Sequence, residues 1–163
     1  MYGRSEELSA AVIVIDDRIK EGERPDTSGP RAVTALEGQG GIAITYRSLC
    51  RESYPHVFHA ITEAMKHARF ILTIGGTGLR PGSVTPEVTQ ELISQEVPGI
   101  ATQILLKGLQ STERAGLCRG AVGVTEGGHL IVNAPGSQGG VKDTLEIILP
   151  LLAPIFNQVD ELD

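Results

Sequence analysis

The chain has few of the residues that mark several classes of protein. It contains no tryptophan, three tyrosines, three phenylalanines and two cysteines among 163 residues. So few aromatic side chains leave little for stacking on the bases of a nucleic acid. The formal net charge of −6 also differs from the basic face by which nucleic-acid binders are recognised. The composition therefore predicts no nucleic-acid partner.

Long apolar runs and a cysteine framework are also absent. No apolar stretch approaches the ~20 residues of a membrane helix, so no membrane association is expected. The first ten residues are polar and unlike a signal peptide, and Cys50 and Cys118 lie far apart. These features predict a cytoplasmic protein in a reducing compartment. They also predict a flexible segment over residues 1–10 and a single domain over residues 11–159.

Strand and helix patterns alternate along the chain. Apolar runs typical of buried strands fall at residues 11–15, 42–46, 70–74, 121–125 and 129–132. Amphipathic helical spacing lies between them, including a helix expected from residue 85 to about residue 97. Because strands that alternate with helices form βαβ units, the pattern predicts a three-layer α/β/α sandwich with a mainly parallel sheet.

The most informative stretch follows the strand predicted at residues 70–74. Gly75, Gly76 and Gly78 let the backbone turn sharply and approach a ligand, and their N–H groups can surround an anion. Pro81 occupies the third glycine position of a dinucleotide fingerprint, and no lysine precedes Ser83 as in a P-loop. The stretch therefore predicts a phosphate-binding loop of neither type. A glycine-rich turn without a ligand is the alternative.

A second loop contains Pro135, Gly136 and Ser137. Pro135 replaces the first glycine of a nucleophile elbow, and no histidine is placed to act as a base. We therefore expect Ser137 to cap the following helix and leave its first N–H groups free for an anion. Two such loops in one α/β chain predict a shared ligand that carries phosphate.

Charged residues near these loops are candidates for binding ions. The carboxylates of Asp16, Asp26 and Glu87 could hold Mg²⁺ together with water and substrate phosphate, or could cap helices instead. Arg80 or Arg119 is predicted to supply a cation to the phosphate. A zinc site at His56 and His59 would need a third ligand, so neither histidine is assigned to a metal.

Several motifs in this order resemble the MogA/MoaB family of molybdopterin-binding proteins, which act in molybdenum cofactor biosynthesis. The resemblance covers roughly residues 11–156. It rests on Asp16, DTSG at residues 26–29, GGTG at 75–78, VTPE at 84–87, PG at 98–99, LCR at 117–119 and NAPGS at 133–137. It implies the sandwich fold, a trimer or hexamer, and molybdopterin as ligand or substrate. It also implies ATP and Mg²⁺ as reactants in members that adenylylate molybdopterin.

The resemblance also implies which residues bind the pterin and its terminal phosphate. They are Gly75, Gly76, Thr77, Gly78, Ser83, Thr85, Glu87, Pro135, Gly136, Ser137, Asp16 and Asp26.

The chain departs from this family where the catalytic aspartates usually stand. Ser83 occupies the position of one aspartate, and an ungapped count places Cys50 at the other; Glu52 could replace it only if the loop is shifted. Serine carries no charge to balance Mg²⁺. Cys118 stands in place of a serine, and Ile15 in place of a serine or threonine. The pattern predicts that binding is kept and adenylyl transfer is weakened or lost. A regulatory protein-binding module and a transferase with rearranged metal ligands are the alternatives.

Overall fold

The structure, a computed structural model, describes residues 2–161. Its strands are Leu8–Ile15 (β1), Ile42–Cys50 (β2), Phe70–Ile74 (β3), Gln95–Glu96 (β4), Val122–Val124 (β5) and Leu130–Ala134 (β6). Its helices are Asp17–Lys20 (α1), Ser28–Glu37 (α2), Tyr54–Met65 (α3), Thr85–Leu92 (α4), Pro98–Leu109 (α5), Gln138–Ile148 (α6) and Leu152–Val159 (α7). Short 3-10 helices occupy Glu113–Leu117 and Leu149–Leu151.

The strands form one sheet in the order β2-β1-β3-β6-β5-β4. The four strands β2, β1, β3 and β6 are parallel. The last two, β5 and β4, each run antiparallel to their neighbour. The prediction of a mainly parallel sheet is therefore confirmed, with an antiparallel edge. In a parallel sheet the carboxyl ends of the strands meet at one edge, where open α/β folds bind ligands.

Helices cover both faces of the sheet, which confirms the three-layer sandwich. On one face, α2, α5, α6 and α7 pack against alternate residues of β1 such as Val12 and Val14. On the other face, α3 and α4 pack against the intervening residues Ile13 and Ile15. Successive side chains of a strand point to opposite faces, so the aliphatic run of β1 fills both cores.

Two parallel strands are longer than their apolar runs indicate. The first strand begins at Leu8 instead of residue 11, and the Leu8 N–H donates to the Gly41 carbonyl at 2.8 Å. The second continues past residue 46 to Cys50. Because β2 is an edge strand, Thr45 and Arg47 are exposed, and these polar residues hide the strand from a search for apolar runs.

The segment after α4 differs from its prediction. The helix ends at Leu92 instead of continuing to about residue 97, and Gln95–Glu96 forms β4. The Ser94 N–H donates to the Val124 carbonyl at 2.9 Å, and the Val97 N–H donates to the Val122 carbonyl at 2.8 Å. These hydrogen bonds to β5 satisfy backbone groups that the helix would otherwise have used.

Both ends of the described chain meet at the amino-terminal edge of the parallel strands. Arg4 Nη1 donates to Asp160 Oδ2 at 2.9 Å, and Arg69 donates to both oxygens of the same carboxylate at 2.8 and 2.9 Å. The Arg69 guanidinium also lies over the Phe156 ring at 4.6 Å. Tyr2 is buried, and its N–H donates to the Gly40 carbonyl. Within residues 2–161, no helix has both the length and the apolar character needed to cross a membrane.

Candidate functional site

The loop after β3 (residues 75–83, the glycine loop) needs its first two glycines. Gly75 and Gly76 have φ angles of +104° and +69°, which side chains rarely adopt. A Cβ on Gly75 would lie 2.3 Å from the Ile15 carbonyl oxygen, and one on Gly76 would lie 2.2 Å from Thr85 Oγ1. The backbone can therefore pass close to β1 and α4 only without side chains at these positions.

Thr85 fixes the start of this loop. Its hydroxyl donates to the Gly75 carbonyl at 3.0 Å, and its N–H donates to the Gly76 carbonyl at 3.1 Å. The side chain is fully buried. Thr85 therefore holds the loop by hydrogen bonds within the protein, and its hydroxyl is used to support the loop backbone.

The second loop (residues 135–137) touches the glycine loop. The Gly75 N–H donates to the Ala134 carbonyl at 3.0 Å, and a Cβ on Gly136 would lie 3.7 Å from the Gly75 Cα. Ser28 Oγ donates to the Gly136 carbonyl at 3.0 Å, which ties the start of α2 to the same place. The two loops predicted to share a ligand thus lie side by side at the carboxyl edge of the sheet. The region between them is called the cleft.

Ser137 caps α6, as the sequence predicts. Its hydroxyl accepts the Gly140 N–H at 3.1 Å. A Cβ on Gly140 would lie 2.1 Å from Pro135 Cγ, so this helix turn also requires a glycine. Gln138 and Gly139 are exposed, and their backbone N–H groups are in the first turn, where a helix has unpaired donors. Such donors, at the positive end of the helix dipole, favour an anion.

Asp16 and Asp26 both act as local caps. Asp16 Oδ1 accepts the N–H groups of Arg18 and Ile19, and its other oxygen pairs with Arg24. Asp26 Oδ1 accepts the Gly29 N–H at 2.9 Å. A pocket of about 210 Å³ adjoins Asp26 on the face of β1 and β2. Both carboxylates lie near the predicted cleft, but each is already engaged with its own helix.

Ser83, the last residue of the glycine loop, is buried. The residue is 7% exposed, and its Oγ lies 3.9 Å from where a Cβ on Gly78 would be. Its N–H donates to the Arg80 carbonyl at 2.9 Å within the loop. The Ser83 carbonyl accepts a hydrogen bond from Arg119 Nη2 at 2.9 Å. The residue that the resemblance places at an aspartate position is therefore buried in the loop and held by hydrogen bonds of its backbone.

Glu52 lies beside the cleft, whereas Cys50 does not supply a group to it. Cys50 is the last residue of β2, and burial raises the pKa of its thiol to about 11. Two residues later, Glu52 exchanges hydrogen bonds with Asp17. A Cβ on Gly82 of the glycine loop would lie 3.1 Å from the Glu52 carbonyl oxygen. Of the two candidates for the second aspartate position, Glu52 and not Cys50 therefore lies against the glycine loop.

The environment of Glu52 disfavours its charge. Partial burial raises the pKa of the Glu52 carboxyl, and the nearby carboxylates of Asp17 and Asp16 raise it further, while Arg80 opposes them. A carboxylate with a raised pKa in a cleft is a candidate functional group. The sequence names Glu52 only as an alternative to Cys50, and its place just before the helix cap Ser53 is a signal that favours it.

The cationic and histidine candidates divide into different roles. Arg119 is bound to Glu87 and to loop carbonyls, so its donors are occupied within the protein. Arg80 is exposed at the tip of the loop.

His56 Nδ1 pairs with Ser53 Oγ, the cap of α3. Among the described residues, no group of three His, Cys, Asp or Glu side chains is arranged to hold a metal ion.

Comparison with known proteins agrees with this architecture. Residues 11–154 match a family described as a probable molybdopterin binding domain. The chain is 33% identical over 153 residues to the molybdenum cofactor synthesis protein cinnamon of Drosophila melanogaster, covering 90% of this chain and 25% of that protein. It therefore spans only a quarter of cinnamon's length.

A relative of more similar length and a solved structure extend the comparison. The chain is 40% identical over 142 residues to the molybdopterin adenylyltransferase of Haemophilus influenzae, covering 85% of this chain and 72% of that protein. The crystal structure of a molybdopterin biosynthesis protein from Mycobacterium abscessus superposes with a TM-score of 0.87 at 32% identity. That superposition covers 95% of this chain and 98% of the other.

Proposed function

Because the chain belongs to the molybdopterin binding domain family, we propose that it binds molybdopterin as part of molybdenum cofactor biosynthesis. The contact between the two loops, where Gly75 N–H donates to the Ala134 carbonyl, is the observation that supports this proposal most. It brings a glycine-lined backbone and the amino terminus of α6 to one place. Both provide N–H donors for a phosphate group.

In this proposal the terminal phosphate lies between the glycine loop and the second loop. Gly76, Thr77 and Gly78 provide backbone and hydroxyl donors on one side, and Gly75, whose N–H is bonded to the Ala134 carbonyl, shapes the turn. Pro135, Gly136 and Ser137 shape the other side. Arg80 is the exposed cation of the loop and adds charge to the phosphate. Ser83, Thr85, Glu87, Asp16 and Asp26 complete the proposed surroundings.

Calorimetry with molybdopterin tests the proposed binding directly. We expect a dissociation constant of about 1 μM or below for the native chain, equivalent to about −8 kcal/mol. The same pterin without its phosphate should bind at least about tenfold more weakly, because hydrogen bonds to a charged group contribute about 1.5 kcal/mol or more. Equal affinity for the two compounds would place the phosphate elsewhere, and no heat with either would overturn the proposal.

Adenylyl transfer to molybdopterin is the second candidate function, and the position of Glu52 favours it. Glu52, whose N–H donates to the Asp17 carboxylate, offers carboxylate oxygens of the type that Mg²⁺ prefers. Mg²⁺ held there by a few such oxygens, water and the phosphates of ATP would neutralise charge during transfer. Glu52 would hold the Mg²⁺ in place, and the N–H donors of the loops would orient the acceptor phosphate. Formation of adenylylated molybdopterin from ATP and Mg²⁺ by the native chain is the test.

A strip of exposed leucines on α5 and the 3-10 helix that follows it favours association with other chains. Leu105, Leu106, Leu109 and Leu117 are exposed, with Leu106 at 58% and Leu117 at 53%. We propose that this strip is covered in a cytoplasmic homo-oligomer, a trimer or hexamer, since contiguous apolar surface often marks an interface. Light scattering should give the mass of an oligomer that Leu106→Glu dissociates. A monomeric native chain that binds a specific cellular protein would favour a regulatory protein-binding module instead.

A further inference from the structure

We propose that Arg119 is a positioning residue that holds the glycine loop in its binding conformation and does not itself contact the phosphate. The inference deepens the proposed function, because it concerns how the same cleft is formed. It differs from the sequence-based expectation that Arg119 supplies a cation to the ligand. The two roles predict opposite effects of Glu87→Gln on ligand binding.

The Arg119 guanidinium is bound along its whole edge to the protein. Nε donates to the Gly78 carbonyl and Nη2 donates to the Ser83 carbonyl, both at 2.9 Å. Nη1 donates to Glu87 Oε2 at 2.7 Å, and Nη2 reaches the other carboxylate oxygen at 3.2 Å. The planar fork of an arginine suits such multiple acceptors, which a lysine could not engage together. Few donors are left for a ligand.

Glu87 completes this arrangement from the first turn of α4. Its carboxylate neutralises the guanidinium, and the hydrogen bond from Arg119 lowers the pKa of the Glu87 carboxyl. A carboxylate at this end of a helix is also favoured by the helix dipole. Arg119 therefore joins a fixed helix terminus to the two carbonyls of the loop, and its charge is already paired.

The backbone next to Arg119 holds the loop at another point. The Arg119 N–H donates to the Thr77 carbonyl at 2.9 Å, and Cys118 Sγ donates to Thr77 Oγ1 at 3.4 Å. Within residues 2–161, every hydrogen bond that joins residues 77–83 to the rest of the protein comes from Cys118 or Arg119. Thr85 and Ala134 hold the first two residues of the glycine loop, so Cys118 and Arg119 are what ties residues 77–83 to the rest of the described protein.

A loop that is ordered before binding costs less entropy when a ligand arrives. Loss of the Arg119 side chain should therefore weaken binding by freeing the loop, at a distance from the ligand itself. Glu87→Gln separates the two roles. If Arg119 is a positioning residue, Glu87→Gln loosens the loop and weakens binding. If Arg119 binds phosphate, Glu87→Gln releases its charge and strengthens binding.

Amide hydrogen exchange on the ligand-free chain tests the positioning role first. In Arg119→Gln, we expect exchange over residues 76–80 to be about tenfold faster or more, with the exchange of β1 and β3 unchanged. Glu87→Gln should show a smaller increase over the same residues. Arg114→Gln, which changes an exposed arginine of the preceding 3-10 helix, is the matched control and should leave the loop unchanged. Unchanged exchange in Arg119→Gln would overturn the proposal.

Calorimetry with molybdopterin on the same proteins completes the test. Arg119→Gln and Glu87→Gln should both bind about tenfold more weakly than the native chain. Tighter binding by Glu87→Gln would overturn the positioning role in favour of a direct phosphate contact. Absence of binding by the native chain would contradict the proposed function alone, because the exchange measurement needs no ligand.

Discussion

The backbone N–H of Glu52 donates to the Asp17 carboxylate at 2.9 Å, and the Asp17 N–H faces the Glu52 carboxylate at 3.4 Å. This exchange joins the end of β2 to the end of β1 at the cleft. Each carboxylate gains a backbone donor, but the two negative charges are brought together. Partial burial and the Asp17 charge raise the pKa of the Glu52 carboxyl, and Arg80 partly offsets that effect.

Glu52→Gln should stabilise the fold and abolish adenylyl transfer. The folded-state pKa of this acid is raised, so its ionisation opposes folding above that pKa. Removing the charge should raise the free energy of unfolding at pH 7 by about 0.3 kcal/mol, the typical cost of a like-charge pair. The gain should disappear below pH 4, where the native carboxyl is protonated.

Thermal unfolding across this pH range and the ATP-dependent assay are the measurements for Glu52. Glu63→Gln is a control for charge alone, since Glu63 pairs with Lys66 on the surface of α3. A transferase rate that survives in Glu52→Gln would show that this carboxylate is not part of the chemistry.

Ser83→Asp should raise the rate of adenylyl transfer by about tenfold or more, because it restores a charge where Mg²⁺ and phosphate meet. The site is buried, so the variant should also lose about 1–3 kcal/mol of unfolding free energy without metal. Ser5→Asp adds the same charge to an exposed residue at the opposite end of the sheet. A rate equal to that of the native chain would mean that the serine is not what limits transfer.

Gly76→Ala should disrupt the glycine loop. The new Cβ would lie 2.2 Å from Thr85 Oγ1 at a φ of +69°, and strain of this kind costs about 1–3 kcal/mol. Denaturant unfolding should show this loss, and calorimetry should show that molybdopterin binding is lost. Gly99→Ala is the matched control: its Cβ meets no atom within 4 Å in the first turn of α5, so stability should stay equal or rise slightly. Normal binding by Gly76→Ala would contradict the proposed site.

Asp160 should make stability depend on pH in the acid range. Hydrogen bonds from Arg69, and then from Arg4, lower the pKa of the Asp160 carboxyl from 3.8 to about 2. Its stabilising contribution is therefore complete above about pH 4 and is lost as the pH falls towards 2. Because the group is partly exposed, that contribution should be about 1 kcal/mol or less.

The measurement for Asp160 is acid unfolding of the native chain beside Asp160→Asn. The variant should be less stable at pH 7, and the difference should vanish near pH 2. A constant difference between the two proteins over this range would mean that the ion pairs with Arg69 and Arg4 contribute nothing.

The sequence was sufficient to predict the two loops and their shared edge. Phe70–Ile74 is apolar on both faces, so the strand and the glycines that follow it could be located directly. A mainly parallel sheet then requires the carboxyl ends of β3 and β6 to lie at one edge, but only the structure shows that these strands are neighbours, which brings Gly75 beside Gly136.

Other parts of the cleft depend on contacts that leave no local pattern. Arg119 meets Glu87 across 32 residues, and no periodicity in the chain indicates that pairing. The two-residue strand β4 is too short to show alternation, so its stretch was assigned to a helix. The count from the glycine loop selects Cys50 and leaves Glu52 as the alternative, because the exposed polar residues of β2 conceal where that strand ends.

The ion pair between Arg4 and Asp160 brings the two ends of the described chain side by side. They lie at the amino-terminal edge of the strands, whereas the cleft lies at the carboxyl edge. A domain with adjacent ends can be joined to or inserted into a longer polypeptide without moving its ligand-binding loops. Both ends of the described chain thus lie on the side of the sheet away from the cleft, so a tag attached at either end should leave ligand binding unchanged.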